Sequence, residues 1–276
     1  MARSVVSLLA PFLFLFVLSS SALSQSAPEG HFVNLNGFEL YYETLGGGEP
    51  LLLVHGWSGN TAYFEPFLEP LAERYRLIIP DLRGHGRSTN PGGEFTMGQS
   101  ALDLFALLDH LGLGQIKAIG ASAGGLILLH MGTGQPSRIE RMVLIGTGSR
   151  FLPHCRESMV GADAGEYPEE WWELMRNRHP RGDEQIREMV GYLRSFARNE
   201  TDVEFSSSVL SGIEAETLIV HGDRDWCFPP SLAVEIFEAI PNASLWVIPG
   251  GEHVPVMGEH SAQFLTSALT FLSGGR

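Results

Sequence analysis

Short, nearly continuous apolar runs recur along the chain and constrain its fold more than any other feature. They cover residues 51–54, 77–79, 116–119, 142–145, 218–220 and 245–248. Runs of this kind are typical of strands that are buried on both faces of a parallel sheet. Helical patterns separate them, as at residues 97–111, where Leu102, Phe105 and Leu108 recur at a spacing of three. Strand and helix therefore alternate, which predicts an α/β fold.

An antiparallel hairpin precedes this alternation. Asn36-Gly37 is a strong turn signal, and the segments 31–35 and 38–45 flank it with strand-like sequences. Two further helical patterns, at residues 231–240 and 261–272, lie near the end of the chain. Together these features predict a mostly parallel eight-stranded sheet with helices on both faces.

Residues 151–211 interrupt the alternation because they contain no buried-strand run. Two of their segments, Glu169–Arg178 and Asp183–Arg198, have helical patterns instead. We expect a helical cap inserted after the strand that ends at Ile145; the alternative is that these helices simply cover the sheet. The expected division is therefore a core of residues 25–150, a cap of residues 151–211, and the second part of the core at residues 212–276.

The N-terminal segment has the features of a secretory signal peptide. No charged residue lies between Arg3 and Glu29, and small residues at Ala22 and Ser24 suit cleavage before Gln25. An uncleaved membrane anchor is the alternative, but the apolar run falls short of the roughly 20 residues needed to span a bilayer. We predict that residues 1–24 are removed and that the protein is exported to the periplasm or extracellular space, with no stable membrane insertion.

Charge and cysteine content narrow the classes of partner. The chain has 18 Lys and Arg against 32 Asp and Glu, a net charge of −14, which argues against nucleic acid as a partner. Its ten histidines form no metal-binding motif, so we expect neither a metal nor another cofactor. Cys155 and Cys227 are the two cysteines, and export would permit a disulfide between them. Paired cysteines and two free thiols both remain open at this stage.

The pentapeptide Gly120-Ala121-Ser122-Ala123-Gly124 fits the Gly-x-Ser-x-Gly pattern of a nucleophile elbow. It follows the strand at residues 116–119 and precedes an apolar helical segment, which is the setting that the motif requires. Such a turn projects a serine oxygen clear of the sheet, beside a helix N-terminus that favours developing negative charge. A mere turn serine is the alternative, but it leaves the flanking glycines unexplained.

An acid and a base follow Ser122 at the ends of later strands. Residues 218–220 lead into His221-Gly222-Asp223-Arg224-Asp225, and residues 245–248 lead into a turn that ends with His253. Serine, aspartate and histidine in this order match a triad of the α/β type. Asp223 is a rival for the acid. Three histidines compete with His253 for the base, namely His55, His221 and His260.

These motifs, with His55-Gly56-Trp57 and the run from Asp81 to Ser88, make the chain similar to the α/β-hydrolase fold superfamily over residues 31–272. The resemblance is closest to its capped esterase, lactonase and cofactor-free haloperoxidase branch. It implies Ser122 as nucleophile, Asp225 as acid and His253 as base, and the backbone N–H groups of Trp57 and Ala123 as the oxyanion hole. Glu216 departs from the pattern, because relatives usually have proline there.

The expected substrate is a small ester or lactone with an apolar or aromatic group. Aromatic side chains would form the pocket: Trp171 and Trp172 from the cap, and Trp226 and Phe228 from a strand end. Ordinary helix packing is the alternative for the cap residues.

Three other functions remain open on the same site: C–C bond hydrolysis, cofactor-free perhydrolysis or haloperoxidation, and binding without turnover. Asp81, Arg83 and His85 are expected to brace a loop.

Overall fold

The computed structural model describes residues 27–275, so the predicted signal peptide lies outside the described residues. One sheet holds eight strands in the spatial order β1-β2-β4-β3-β5-β6-β7-β8. In chain order the strands are β1 Glu29–Leu35, β2 Phe38–Leu45, β3 Glu49–Val54, β4 Tyr75–Pro80, β5 Ile116–Ala121, β6 Ile139–Ile145, β7 Glu216–Gly222 and β8 Ala243–Ile248. The pairs β1–β2 and β2–β4 are antiparallel and all the others are parallel.

Helices connect the parallel strands. They are α1 Glu65–Ala72, α2 Met97–His110, α3 Ala123–Gly134, α4 Pro153–Val160, α5 Glu169–Arg178, α6 Asp183–Arg198, α7 Ser207–Leu210, α8 Pro230–Ala239 and α9 Ser261–Leu272. In the described part of the chain, none of these helices is long and apolar enough to cross a membrane.

The two faces of the sheet bury different apolar clusters because side chains alternate along each strand. In β3, Leu51 and Leu53 pack with α1 and α9 on one face. Leu52 and Val54 pack with α2, α3 and α8 on the other. The predicted mostly parallel eight-stranded sheet, with helices on both faces, is confirmed.

Helices α4 to α7 lie between β6 and β7, in the segment that lacks a buried strand run. Their apolar side chains, such as Ile186 and Val190 of α6, belong to the same cluster as the α2–α3 face of the sheet. A short antiparallel bridge between Arg150 and Glu204 closes the base of the segment. We call helices α4 to α7 the cap.

Cys155 of α4 and Cys227, in the loop after β7, form a disulfide with a Cα–Cα distance of 5.1 Å. The pairing is possible because β6 and β7 are neighbours, so the segments that follow them emerge at the same edge of the sheet.

Glu216, the departure from the family pattern, begins β7 and forms a bidentate ion pair with Arg141 of β6, with N–O distances of 2.7 and 2.8 Å.

Candidate active site

Ser122 occupies the turn between β5 and α3. Its backbone has φ 53° and ψ −117°, a conformation that L-residues rarely adopt. The N–H of Ser122 donates to the carbonyl oxygen of Ile145 on the neighbouring strand, at 2.8 Å. This bond and the start of α3 hold the strained turn in place. The serine oxygen consequently projects from the C-terminal edge of the sheet.

The glycines on both sides of Ser122 are required by close backbone approach. A Cβ atom on Gly124 would collide with the carbonyl oxygen of Val54 on β3. On Gly120, it would lie 2.6 Å from the carbonyl oxygen of Gly124. Only glycine fits at either position, which gives the pentapeptide pattern its physical reason.

A chain of hydrogen bonds links Ser122, His253 and Asp225. Ser122 Oγ lies 2.8 Å from Nε2 of His253, and Nδ1 of the same ring lies 2.8 Å from Oδ2 of Asp225. An imidazole that donates through Nδ1–H to the carboxylate leaves Nε2 free to accept the serine proton. The arrangement can therefore activate Ser122 as a nucleophile.

The Asp225 carboxylate is held on both oxygens. Oδ1 accepts the backbone N–H groups of Cys227 and Phe228, at 2.9 and 3.0 Å, while Oδ2 faces His253. Burial by itself raises the pKa of Asp225, but its hydrogen bond and charge interaction with His253 and the two backbone donors outweigh this effect. The pKa therefore lies below its ordinary value, and the group remains ionised at neutral pH.

The rival residues have other partners. Asp223 accepts the backbone N–H of Gly250 at 2.6 Å and so braces the turn after β8. His221 contacts the carbonyl oxygen of Phe228, at 2.6 Å from Nε2. His55 contacts the carbonyl oxygen of Gly56 through Nδ1, and its Nε2 accepts the N–H of Leu82 from the loop after β4. His260 lies next to Glu259 at the start of α9. Of these candidates, the structure brings only Asp225 and His253 to Ser122.

Trp57 and Ala123 line the same cavity as Ser122. Ala123 is the first residue of α3, so its N–H has no acceptor within the helix. Trp57 follows β3, and its indole N–H donates to the carbonyl oxygen of Met189 in α6, at 3.1 Å. Two backbone donors so placed beside a nucleophile could stabilise an oxyanion.

A cavity of about 300 Å³ lies between Ser122 and the cap. Most of its lining is apolar, with contributions from Leu126, Phe151, Leu193 and Phe196. Hydroxyl groups also line it, and burial raises the pKa of one of them, Tyr63, to about 12. No Asp, Glu, Lys or Arg is among the described residues that line this cavity. The space therefore suits an uncharged, apolar group.

The structure corrects part of the predicted pocket. Trp226 and Phe228 line the cavity, but Trp171 and Trp172 do not. Trp172 is buried inside the cap, where its indole N–H donates to the carbonyl oxygen of Ala164. Trp171 stacks behind Tyr167, with ring centroids 4.2 Å apart, and Tyr167 itself faces the cavity. Helical periodicity identified an apolar stripe, but it could not say which residues face the core of the cap.

Other lining residues were not predicted from the sequence. Met159 belongs to α4, whose sequence has too few apolar residues for a helical pattern. Val254 directly follows His253, and that adjacency was the one available signal for it. Phe151 lies in the loop after β6, as Trp57 and Trp226 lie in the loops after their own strands, so its position near a strand end was informative.

The predicted loop-bracing cluster has structural partners. Asp81 accepts the backbone N–H groups of Thr61 and Arg87, each at 2.7 Å. Arg83 forms a buried bidentate ion pair with Asp103, at 2.7 and 2.8 Å. These contacts fix the loop after β4 and leave neither group free for chemistry.

Comparison with known proteins agrees with this geometry. The family model for the alpha/beta hydrolase fold matches residues 49–166. A non-heme haloperoxidase of Rhodococcus erythropolis is 28% identical over 258 residues, 79% of this chain and 90% of that protein. The 2-hydroxy-6-oxo-6-(2'-aminophenyl)hexa-2,4-dienoic acid hydrolase of Metapseudomonas resinovorans is 24% identical over 276 residues, with coverages of 92% and 94%.

Among solved structures, a thermophilic esterase from Thermogutta terrifontis superimposes with a TM-score of 0.70 at 28% identity. The match covers 90% of this chain and 98% of that one. These relatives carry out different reactions, so they support hydrolase chemistry more firmly than any one substrate. The sheet order, the serine elbow and the family model over residues 49–166 together show that the chain has the α/β-hydrolase fold.

Proposed function

We propose that the protein is a serine hydrolase that cleaves carboxylic esters, lactones included, through an acyl-enzyme. The observation that carries this proposal is the pair of 2.8 Å contacts that join Ser122 to His253 and His253 to Asp225. The uncharged cavity next to the serine supports it, because an ester is a neutral group. The similarity to the Thermogutta terrifontis esterase is further support.

In the proposed reaction, Nε2 of His253 takes the Ser122 proton as the oxygen attacks the ester carbonyl. The N–H groups of Trp57 and Ala123 stabilise the oxyanion, and Asp225 stabilises the imidazolium. His253 then protonates the leaving alcohol, and an acyl group remains on Ser122. A water molecule, deprotonated by His253, releases the acid and restores the serine.

The main test is hydrolysis of p-nitrophenyl esters from acetate to decanoate. Ser122→Ala should lower kcat by about 10³-fold or more, because the nucleophile is lost. Ser207→Ala, an exposed serine on α7, is the matched control and should retain full activity. Equal turnover by the wild type and Ser122→Ala would contradict the proposal. A fluorophosphonate adduct on Ser122 without ester turnover would point instead to a different substrate on a reactive serine.

Hydrolysis of C–C bonds in dienoic acids is less compatible with the cavity. A carboxylate on the substrate needs a cationic or strongly hydrogen-bonding partner when it leaves water. Among the described residues that line the cavity, no Lys or Arg is present, so a carboxylate there would meet only neutral donors such as the hydroxyls of Tyr63 and Tyr167. Esters of hexanoic acid and the half-ester of adipic acid make a matched pair, because a carboxylate replaces one methyl group. We expect kcat/KM for the adipate to be on the order of 100-fold lower.

We also propose that the protein is exported after removal of residues 1–24. The N-terminal segment, which has no charged residue between Arg3 and Glu29, supports export. The disulfide supports it too, because disulfides persist in oxidising compartments. N-terminal sequencing of the secreted or periplasmic protein should give Gln25 as the first residue. A mature protein that still begins at Met1 would argue for an uncleaved anchor.

A further inference from the structure

We propose that the Cys155–Cys227 disulfide positions Asp225, so that full activity requires the oxidised protein. This inference rests on the proposed function, in which Asp225 orients the catalytic histidine. The disulfide joins the first cap helix to the loop that holds the acid, across 72 residues of sequence.

The orientation of the Asp225 carboxylate depends on the loop backbone that follows it. Oδ1 accepts the N–H groups of Cys227 and Phe228. Any displacement of these two residues therefore shifts the Asp225 carboxylate. The remaining oxygen, Oδ2, lies 2.8 Å from the ring of His253. A shift in the loop is therefore transmitted to the imidazole through a single side chain.

Cys227 is one of the two residues that donate to Asp225, and it is also the residue that bears the covalent link. Its partner Cys155 is fully buried in α4. A second contact reinforces the link, because Nε2 of His154 lies 2.6 Å from the carbonyl oxygen of Trp226. Helix α4 therefore fixes two successive residues of the acid loop.

The other attachments of the loop differ in kind. His221 contacts the carbonyl oxygen of Phe228, and the N–H of Arg224 donates to Gly251 at 2.9 Å. These are single hydrogen bonds within the core, and Trp226, which lies between them in the loop, is 58% exposed. Among the described residues, the disulfide is the one covalent bond between the cap and the acid loop.

The test compares the wild type with Cys155→Ala/Cys227→Ala. Both backbone amides that donate to Asp225 are retained in this variant, so their hydrogen exchange reports directly on the loop. We expect exchange at residues 227 and 228 to accelerate on the order of 10-fold. Phe264→Leu, a core substitution in α9 distant from the loop, should lower the melting temperature but leave this exchange unchanged.

Kinetics then separates positioning from general stability. Loss of the disulfide should lower kcat about 10-fold or more in the wild-type background, with little change in KM. In the Asp225→Asn background the same double substitution should change kcat less than about 2-fold, because the group through which it acts has already been impaired. Equal losses in both backgrounds, or unchanged amide exchange, would overturn the proposal.

Two alternative measurements keep the proposal testable. If the double variant does not fold, wild-type protein treated with a phosphine reductant replaces it: the disulfide gains two electrons and two protons, and the phosphine becomes its oxide. If no substrate is turned over, the exchange measurement still tests the positioning. Failure of the proposed function would appear separately, as an absence of fluorophosphonate labelling of Ser122 in the wild type.

Discussion

Trp57 donates its indole N–H to the carbonyl oxygen of Met189, and the 3.1 Å bond ties the loop after β3 to the cap helix α6. The backbone N–H of Trp57 is one of the two proposed oxyanion donors, so the cap contributes to the geometry of the site without touching the reacting atoms. Catalytic geometry and cap position are therefore linked through this residue.

Replacing Trp57 by phenylalanine removes this bond and keeps the backbone donor. We expect kcat to fall about 10-fold, since loss of a hydrogen bond of about 1 kcal/mol loosens the donor. KM for short esters should change much less. Steady-state kinetics with p-nitrophenyl butyrate provides the measurement, and an unaltered kcat would show that the loop holds its shape without the cap.

The two acidic residues after β7 give a matched pair of variants. Asp225→Asn should lower kcat by about 10³-fold or more, because the amide favours the wrong imidazole tautomer. Asp223→Asn should retain activity within a few-fold, since Asp223 accepts only the N–H of Gly250. The opposite ranking would move the acid to Asp223. Thermal unfolding of both variants controls for folding.

Phe196 contributes a ring to the cavity wall from α6. Phe196→Ala should shift the preferred acyl length upward by about three carbons, because the removed ring leaves space for a longer chain. The melting temperature should fall as well, since Phe196 is buried in the cap. An ester series measured as kcat/KM checks the shift, and an unchanged optimum would place the acyl group elsewhere.

Acid should destabilise the protein through buried histidines. Burial lowers the pKa of His55 to about 3 and that of His179 to about 4, and it holds the pKa of His85 well below its ordinary value. Below the unfolded-state pKa of about 6.5, the unfolded chain binds protons that the folded one does not. Each histidine therefore removes about 1.4 kcal/mol of unfolding free energy per pH unit as the pH falls.

Asp81 acts in the opposite direction over part of this range. Burial raises its pKa to about 6, so its stabilising contribution is present at low pH and is lost as the pH rises through about 6. These three histidines against one carboxyl leave a net loss of roughly 2–3 kcal/mol per unit between about pH 6 and 4. His221, whose pKa burial also lowers, adds to the loss. Urea unfolding over this range measures the slope. His179→Asn keeps an acceptor for the N–H of Gly86. This variant should reduce the slope of unfolding free energy against pH by the contribution of one proton, about 1.4 kcal/mol per pH unit.

The sequence predicted the elements whose patterns are self-contained. Two cap helices, Glu169–Arg178 and Asp183–Arg198, have the predicted bounds, because each combines helical spacing with a polar exterior. Helix α1 was not predicted, since Pro66 and Pro70 interrupt its short sequence. Helix α4 was missed for lack of apolar residues, although it carries Cys155 and Met159.

The candidate triad could be predicted because each member follows a strand, and the ends of parallel strands meet at one edge of a sheet. Distances supply what the sequence left open, such as the 2.8 Å contact of His253 with Asp225 and the pairing of the cysteines. The orientation of Trp171 and Trp172 depends on how the cap helices rotate against one another. That rotation is set by packing between segments that are remote in sequence, so it cannot be predicted from local periodicity.

The apolar cluster shared by the cap and the α2–α3 face of the sheet limits how the cap of this protein could be replaced. Residues such as Ile186 belong to the same apolar cluster as Leu104 of α2 and Leu128 of α3, so the cap and the core bury apolar surface together. A graft of a foreign cap would expose that surface or leave a void, so the insertion is not an interchangeable module.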